Sequence, residues 1–147
     1  MEFAASLIAV VSLADTLITR CHRYLSTVRD CPGDLRSILV ETSTVRSVLR
    51  NLEFVYRNAS NAEGRQFYAS LNGENGPIRG CRTCLQGLQD LLPEHERESV
   101  GGKRRNLPRL TVERLAWPLL ESRARKLLGE LGRFRSTINL ALVTDIS

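Results

Sequence analysis

The sequence predicts an all-α protein, an up-down bundle of four helices with an extra short helix ahead of the last long one, and three observations carry that expectation. Apolar residues recur at steps of 3 and 4 through several long segments, the spacing that gathers them on one face of a helix. Leu dominates those segments while aromatic residues make up only 5% of the chain, so no window reads as a strand built from aromatic and β-branched residues. The breaks between segments are short, which favours antiparallel neighbours, and the average period of 3.5 gives the bundle a left-handed sense. With 147 residues the chain forms about one domain, 1–147, and a domain of that size buries roughly 70% of the surface its unfolded chain exposes.

The first helix is expected over about 3–28. Its opening, FAASLIAVVSLA at 3–14, contains no charge, and two overlapping stripes (Phe3, Leu7, Val10, Leu17, Tyr24 and Ile8, Val11, Ile18, Leu25) make it apolar around most of its circumference, with Leu13 adding to it. Such a helix is either a buried central element or one that can leave for lipid. A bilayer crossing needs roughly 20 apolar residues, and Asp15 and Arg20 interrupt this run, so a conditional membrane helix is expected rather than a constitutive one. No basic segment precedes the apolar stretch as a secretory signal requires, so the chain is expected to stay in the cytoplasm and Asn58-Ala59-Ser60 to escape glycosylation.

DCPGDL at 30–35 breaks the chain, and Asp34 suits the N-cap of a second helix over about 34–58 with the stripe Leu35, Ile38, Thr42, Val45, Leu49, Leu52 and Tyr56. A polar stretch with Asn72-Gly73 and Asn75-Gly76 reads as loop, after which Pro77 opens a third helix over about 77–92 on Ile78, Cys81, Leu85, Leu88 and Leu92. From Pro93 to about residue 110 the chain is charged, contains glycine and lacks apolar periodicity, which predicts a mobile loop. A short amphipathic piece at 112–117 leads to Pro118 and the last helix, about 118–143, striped by Leu120, Ala124, Leu127, Leu131, Phe134, Ile138 and Ala141. Gly129 and Gly132 lie inside it, off the stripe. They either permit close helix approach or are tolerated at up to ~1 kcal/mol each. Trp117 either locks the start of this helix onto the bundle or anchors it at a membrane interface.

Chemistry-bearing residues are sparse. The cysteines, Cys21, Cys31, Cys81 and Cys84, are expected as free thiols, because a chain with its own core needs no staples. Cys81 and Cys84 form a CxxC, but no second CxxC or HxxxH accompanies it, so neither a metal nor another cofactor is expected and Cys81 reads as a small core hydrophobe. His22 and His95 fall on an apolar helix and in a polar loop, with no nucleophile or carboxylate pair at a motif spacing, so no catalytic residues are assigned and an enzyme is the least favoured class.

Charge is unevenly spread. The net +5 conceals eleven Lys and Arg against four Glu between Arg97 and Arg135, a local +7. A patch of that kind is either a solvated face or a surface for phosphate, on anionic lipid or nucleic acid. Few aromatics and no reading element weigh against nucleic acid. Lys103, Arg104, Arg105, Arg123, Arg125 and Lys126 are the candidate lipid-binding residues, and Phe3, Leu7, Ile8, Val10, Val11, Leu13 and Leu17 the candidate membrane-inserting ones.

Several of these segments together resemble the fungal HeLo-like N-terminal domain found at the front of NLR-like and other STAND signalling proteins. The resemblance runs nearly end to end, leaving out residues 94–108. It rests on AASLIAVVSLADTLI in the first helix, DCPGDL at 30–35, Cys81 followed by Leu85, Leu88 and Leu92, and RLAWP at 114–118 leading to LGRFRSTINLAL at 131–142. It implies a helical cell-death effector of an immune or incompatibility system, similar in arrangement to the four-helix killer domain of the mixed-lineage kinase-like necroptosis protein. Clustering by a receptor or amyloid-type signal would release the first helix, 3–17 here, toward the plasma membrane. The implied partners are further copies of the chain, anionic membrane lipids and a nucleotide-binding receptor module in cis or trans. This chain contains no phosphate loop GxxxxGK[ST] and no repeats. The competing expectation is a soluble helical interaction module whose first helix is simply its core.

Overall fold

The computed structural model describes residues 2–27, 33–92 and 103–146, with 103–120 given as helical backbone only. The chain is an all-α helical bundle. Its helices are α1 (Glu2–Thr27), α2 (Gly33–Arg57), α3 (Ala62–Ala69), α4 (Pro77–Leu91) and α5 (Lys103–Ile146), and a 3-10 turn over Ser70–Asn72 separates α3 from α4.

Heptad spacing explains the packing. The buried residues of α1 are Phe3, Leu7, Val10, Ala14, Leu17, Cys21 and Tyr24, joined by Ile18 from the second stripe, and those of α2 are Leu35, Ile38, Thr42, Val45, Leu49 and Leu52. In each seam successive members alternate steps of 4 and 3, the repeat that lets straight ridges interlock along a left-handed bundle. Ile78, Cys81, Leu85, Leu88 and Leu92 do the same for α4, and Ala124, Leu131 and Ile138 for α5, with Leu127 and Phe134 partly buried between them.

Directions alternate along the chain, yet two of the four neighbouring pairs are parallel. Helix α1 packs on α2 and α4, and α5 packs on α4 and α2, so α2 and α4 face each other across a diagonal. Phe3 stacks on Tyr56 with ring centroids 4.5 Å apart and Asp15 pairs with Arg46, which makes α1 and α2 antiparallel. Asn72 reaches Ser6 while Arg20 reaches the carbonyls of Gln89 and Leu92, so α1 and α4 run the same way. Asp34 with Arg125 and Glu41 with Arg135 likewise make α2 and α5 parallel. The third helix is therefore not the neighbour of the second, as the short break had suggested. Helix α3 and the 3-10 turn carry the chain across the bundle end instead.

Two sequence expectations change, and the open choice at Gly129 and Gly132 falls to toleration. The stretch after Arg57 contains α3, capped by Asn61, whose side chain accepts from the Gly64 N–H at 2.7 Å, and held by buried Tyr68. The expected mobile loop lies outside the described residues over 93–102, but 103–110 is helix, continuous with the short piece at 112–117 and with the last helix through Pro118. Each interior proline removes one N–H from the ladder, a loss the flanking Leu, Arg, Glu and Ala, all strong helix formers, withstand. Close approach occurs not at Gly129, which has open space around it, nor at Gly132, whose nearest neighbours lie 3.9 Å away, but on α4. A Cβ at Gly80 would run into the ring of Phe134, and one at Gly87 would sit 3.0 Å from a Leu127 methyl.

Two stability measurements follow from this packing. Thr42 is fully buried and its hydroxyl finds no hydrogen-bond partner among the described residues. Thr42→Val is expected to stabilise by about 1 kcal/mol, raising Tm by roughly 3 °C in a thermal melt. Gly80→Ala is expected to lose about 1–3 kcal/mol in urea denaturation through overpacking against Phe134. In a Phe134→Ala background the same change should gain up to about 1 kcal/mol of helix propensity.

Candidate functional site: an apolar helix and two basic faces

Helix α1 is the element that sequence reasoning singled out, and its apolar side chains divide sharply. Phe3, Leu7, Val10 and Leu17 are in the core, Val11 and Leu13 are partly buried against it, and Ile8 is 50% exposed. The residues assigned to membrane insertion are thus mostly the residues that hold the bundle together. By length and composition the segment Phe3–Ser26 is sufficient to cross a bilayer, a test that core helices of soluble proteins also pass.

The polar residues that interrupt α1 fasten it to its neighbours. Asp15 accepts from Arg46 at 2.9 Å and lies 3.8 Å from Arg50, both on α2. Arg20 donates to the carbonyls of Gln89 at 3.4 Å, which also accepts from the Leu92 N–H, and of Leu92 at 3.1 Å, and so sets a cation at the negative end of α4. At the other end the Asn72 amide donates to Ser6 Oγ at 3.1 Å. Half-exposed ion pairs such as Asp15–Arg46 contribute about 0–1 kcal/mol each, so these ties orient α1 more than they hold it.

The basic residues proposed from sequence do not form one face with α1. Lys103, Arg104 and Arg105 belong to the backbone-only part of α5, and their side chains lie outside the described residues. Arg123, Arg125 and Lys126 are all exposed, and Arg125 alone of the three pairs with carboxylates, Asp34 on α2 at 3.5 Å and Glu121 one turn back on its own helix. Because Gly87 meets Leu127 and Arg20 meets Gln89 and Leu92, these cations sit level with the C-terminal half of α1. Leu7 is about 20 Å away along the axis at 1.5 Å per residue.

A different pair of cations lies near the α1 N-terminus. Arg79 and Arg82, exposed on the first turns of α4, border a cleft that Ser6 and Val10 of α1 also line. Exposed apolar residues occur at the same end of the bundle: Ile8, Phe54 near the end of α2 and Phe67 on α3. Sequence reasoning passed over Arg79 and Arg82 because only the parallel placement of α1 and α4 brings them beside Ser6. Their spacing, one turn apart on the flank of the Ile78, Cys81 and Leu85 stripe, was the available signal.

The described thiols are secluded. Burial pushes Cys21 and Cys81 up to about 12. Cys84 is raised to about 11 by burial and then by the Glu130 carboxylate, 3.8 Å from its sulfur. No group of three or more His, Cys, Asp or Glu able to hold a metal occurs among the described residues. Trp117 lies where side chains are not described, and Cys31 and His95 lie outside the described residues.

Compared with known proteins, the chain matches no family model, no curated protein and no solved structure.

The thiols give a direct check on the closed bundle. Cys21, Cys81 and Cys84 are expected to resist iodoacetamide at pH 8 in the native protein and to react at once in guanidinium, read by mass spectrometry. Their ordinary value of 9.0 is raised in the folded state, so the stability they contribute is intact below pH 9 and declines as the pH rises toward 12. A melt series across that range reads the decline.

Proposed function

We propose that this chain is a membrane-targeting, oligomerising signalling domain whose first helix is held in the core until clustering and an anionic surface draw it out. The observation that carries the proposal is the double character of α1, a helix of bilayer-spanning length and composition whose charged interruptions are met by partners on α2 and α4. Exposed Ile8, Phe54 and Phe67 around its N-terminus offer a first apolar contact for lipid. Clustering supplies the drive, because many weakly attracted copies held together bind a surface far more tightly than one. The resemblance to HeLo-like domains, with self-association, anionic lipid and a nucleotide-binding receptor module as partners and a cytoplasmic protein moving to the plasma membrane, belongs to the same proposal. No enzymatic step is part of it.

A soluble interaction module is the second reading, favoured by the complete burial of Leu7 and Leu17. Polar substitution at either position unfolds the bundle and cannot separate the two, whereas Ile8 can. Ile8→Asp should leave the circular-dichroism melt within about 1 kcal/mol of the parent, since Ile8 is half exposed and Ile and Asp have similar helix propensity. It should abolish dye release from anionic vesicles by the full chain, with neutral vesicles intact throughout. Equal release by both proteins would contradict a membrane role for α1. No release by either, with both folded, would leave the soluble module as the reading.

A further inference from the structure

Between α1 and α4 lies a partly enclosed cleft of about 320 Å³. Its floor is apolar, built from buried Val10 and Ile78, and its walls carry Ser6, Asn72, Arg79, Arg82 and Thr83. Among the described residues no carboxylate lines this cleft beside the two guanidinium groups. The contrast is with the neighbouring cavity of about 280 Å³ toward α5, where Glu74 and Glu130 line the wall and Arg79 forms the shared border.

Two cations bordering a recess with no counter-charge among its described lining set up a positive potential that an anion relieves. Guanidinium forks match phosphate oxygens two at a time, and such charge-assisted bonds are about twice as strong as neutral ones. Neutral donors stand ready as well. Ser6 Oγ accepts from Asn72, which leaves the serine proton free to donate and a second N–H on the amide. Thr83 has already committed its proton to the Arg79 carbonyl at 3.1 Å and can only accept.

The geometry points to a binding site for a phosphomonoester in the α1–α4 cleft, gripped by Arg79 and Arg82 with Ser6 and Asn72 as neutral donors. A phosphomonoester carries about −1.5 to −2 at pH 7, which suits two guanidinium groups better than a diester's single charge. The group can come from a soluble compound or from a lipid head group. A soluble ligand touching both helices binds the closed bundle alone and so fastens α1 in place. A lipid-borne one sets the α1 N-terminus at the bilayer. The site does not depend on the membrane proposal, since a soluble phosphomonoester satisfies it.

The test uses the full chain in two arms. Glycerol 3-phosphate, titrated calorimetrically and in thermal melts, probes the soluble source. Co-sedimentation with phosphatidylcholine vesicles with and without phosphatidic acid probes the lipid source. The variant pair R79Q/R82Q removes two exposed charges and is compared with R36Q/R65Q, an equal loss of exposed charge outside the cleft. Glycerol 3-phosphate should raise Tm of the parent and of R36Q/R65Q, and should bind R79Q/R82Q at least about tenfold more weakly. If lipid is the source, phosphatidic acid should sediment the parent and R36Q/R65Q but not R79Q/R82Q. Binding of neither probe by the parent, unchanged binding by R79Q/R82Q, or an equal loss in R36Q/R65Q would each overturn the site. Cleft binding without any dye release would remove the membrane reading alone, and dye release without cleft binding the phosphate site alone.

Discussion

Everything in this bundle depends on the burial of one seam, the residues Phe3, Leu7, Val10, Ala14, Leu17, Cys21 and Tyr24 of α1. A fully buried Leu or Val contributes roughly 1.5–3 kcal/mol, so the seam as a whole is comparable with the 5–15 kcal/mol by which a domain is usually stable. No folded bundle of the other helices is expected once it is gone. That constraint sets the terms for any membrane activity. Moving the seam from protein core to lipid is nearly neutral in hydrophobic terms, because both hosts are apolar. The cost lies in what α1 leaves behind, the exposed faces of Ile38, Val45 and Leu49 on α2 and of Ile78, Cys81 and Leu85 on α4. Under the proposed function neighbouring copies in a cluster would cover those faces, which would make oligomerisation and release of the helix one step rather than two.

Charge is arranged along the axis to match. At the C-terminal half of α1 three cations have partners within the protein, Arg20 with the end of α4, Arg125 with Asp34 and Glu121, Arg135 with Glu41 at 2.5 Å, while Arg123 and Lys126 are exposed. Near its N-terminus Arg79 and Arg82 border the cleft beside Ser6. The basic half of the sequence is thus partly taken up by internal ion pairs, and the cations beside the α1 N-terminus come from α4, a helix whose charge balance attracted no notice.

Legibility in the sequence followed the strength of the period. The seams of α1, α2 and α4 were readable because their apolar residues alternate steps of 3 and 4 with few exceptions, and Pro77 marked the α4 start at the position where its missing N–H is harmless. Helix α3 escaped notice, being eight residues long with Tyr68 alone buried, too short for periodicity; the Asn61 cap followed by Glu63 was its one local mark. Pro108 and Pro118 were over-read as boundaries in α5, where a long run of good helix formers outweighs two lost hydrogen bonds. Neighbour relations were beyond reach. Loop length favoured α2 beside α4, and only the contacts of Arg20, Asn72 and Arg125 reveal the diagonal crossing that creates the α1–α4 cleft.

Hydrogen exchange with mass spectrometry, on the full chain alone and bound to anionic vesicles, tests the central claim that α1 is a core helix able to change partners. In solution α1, α2 and α4 should share the slow exchange of one cooperative core. On vesicles the account predicts that α1 stays protected, now by lipid, while the amides of α2 and α4 behind it exchange faster. An unchanged pattern in all three helices on vesicles that are leaking would contradict it, because the bundle would then act without letting α1 go.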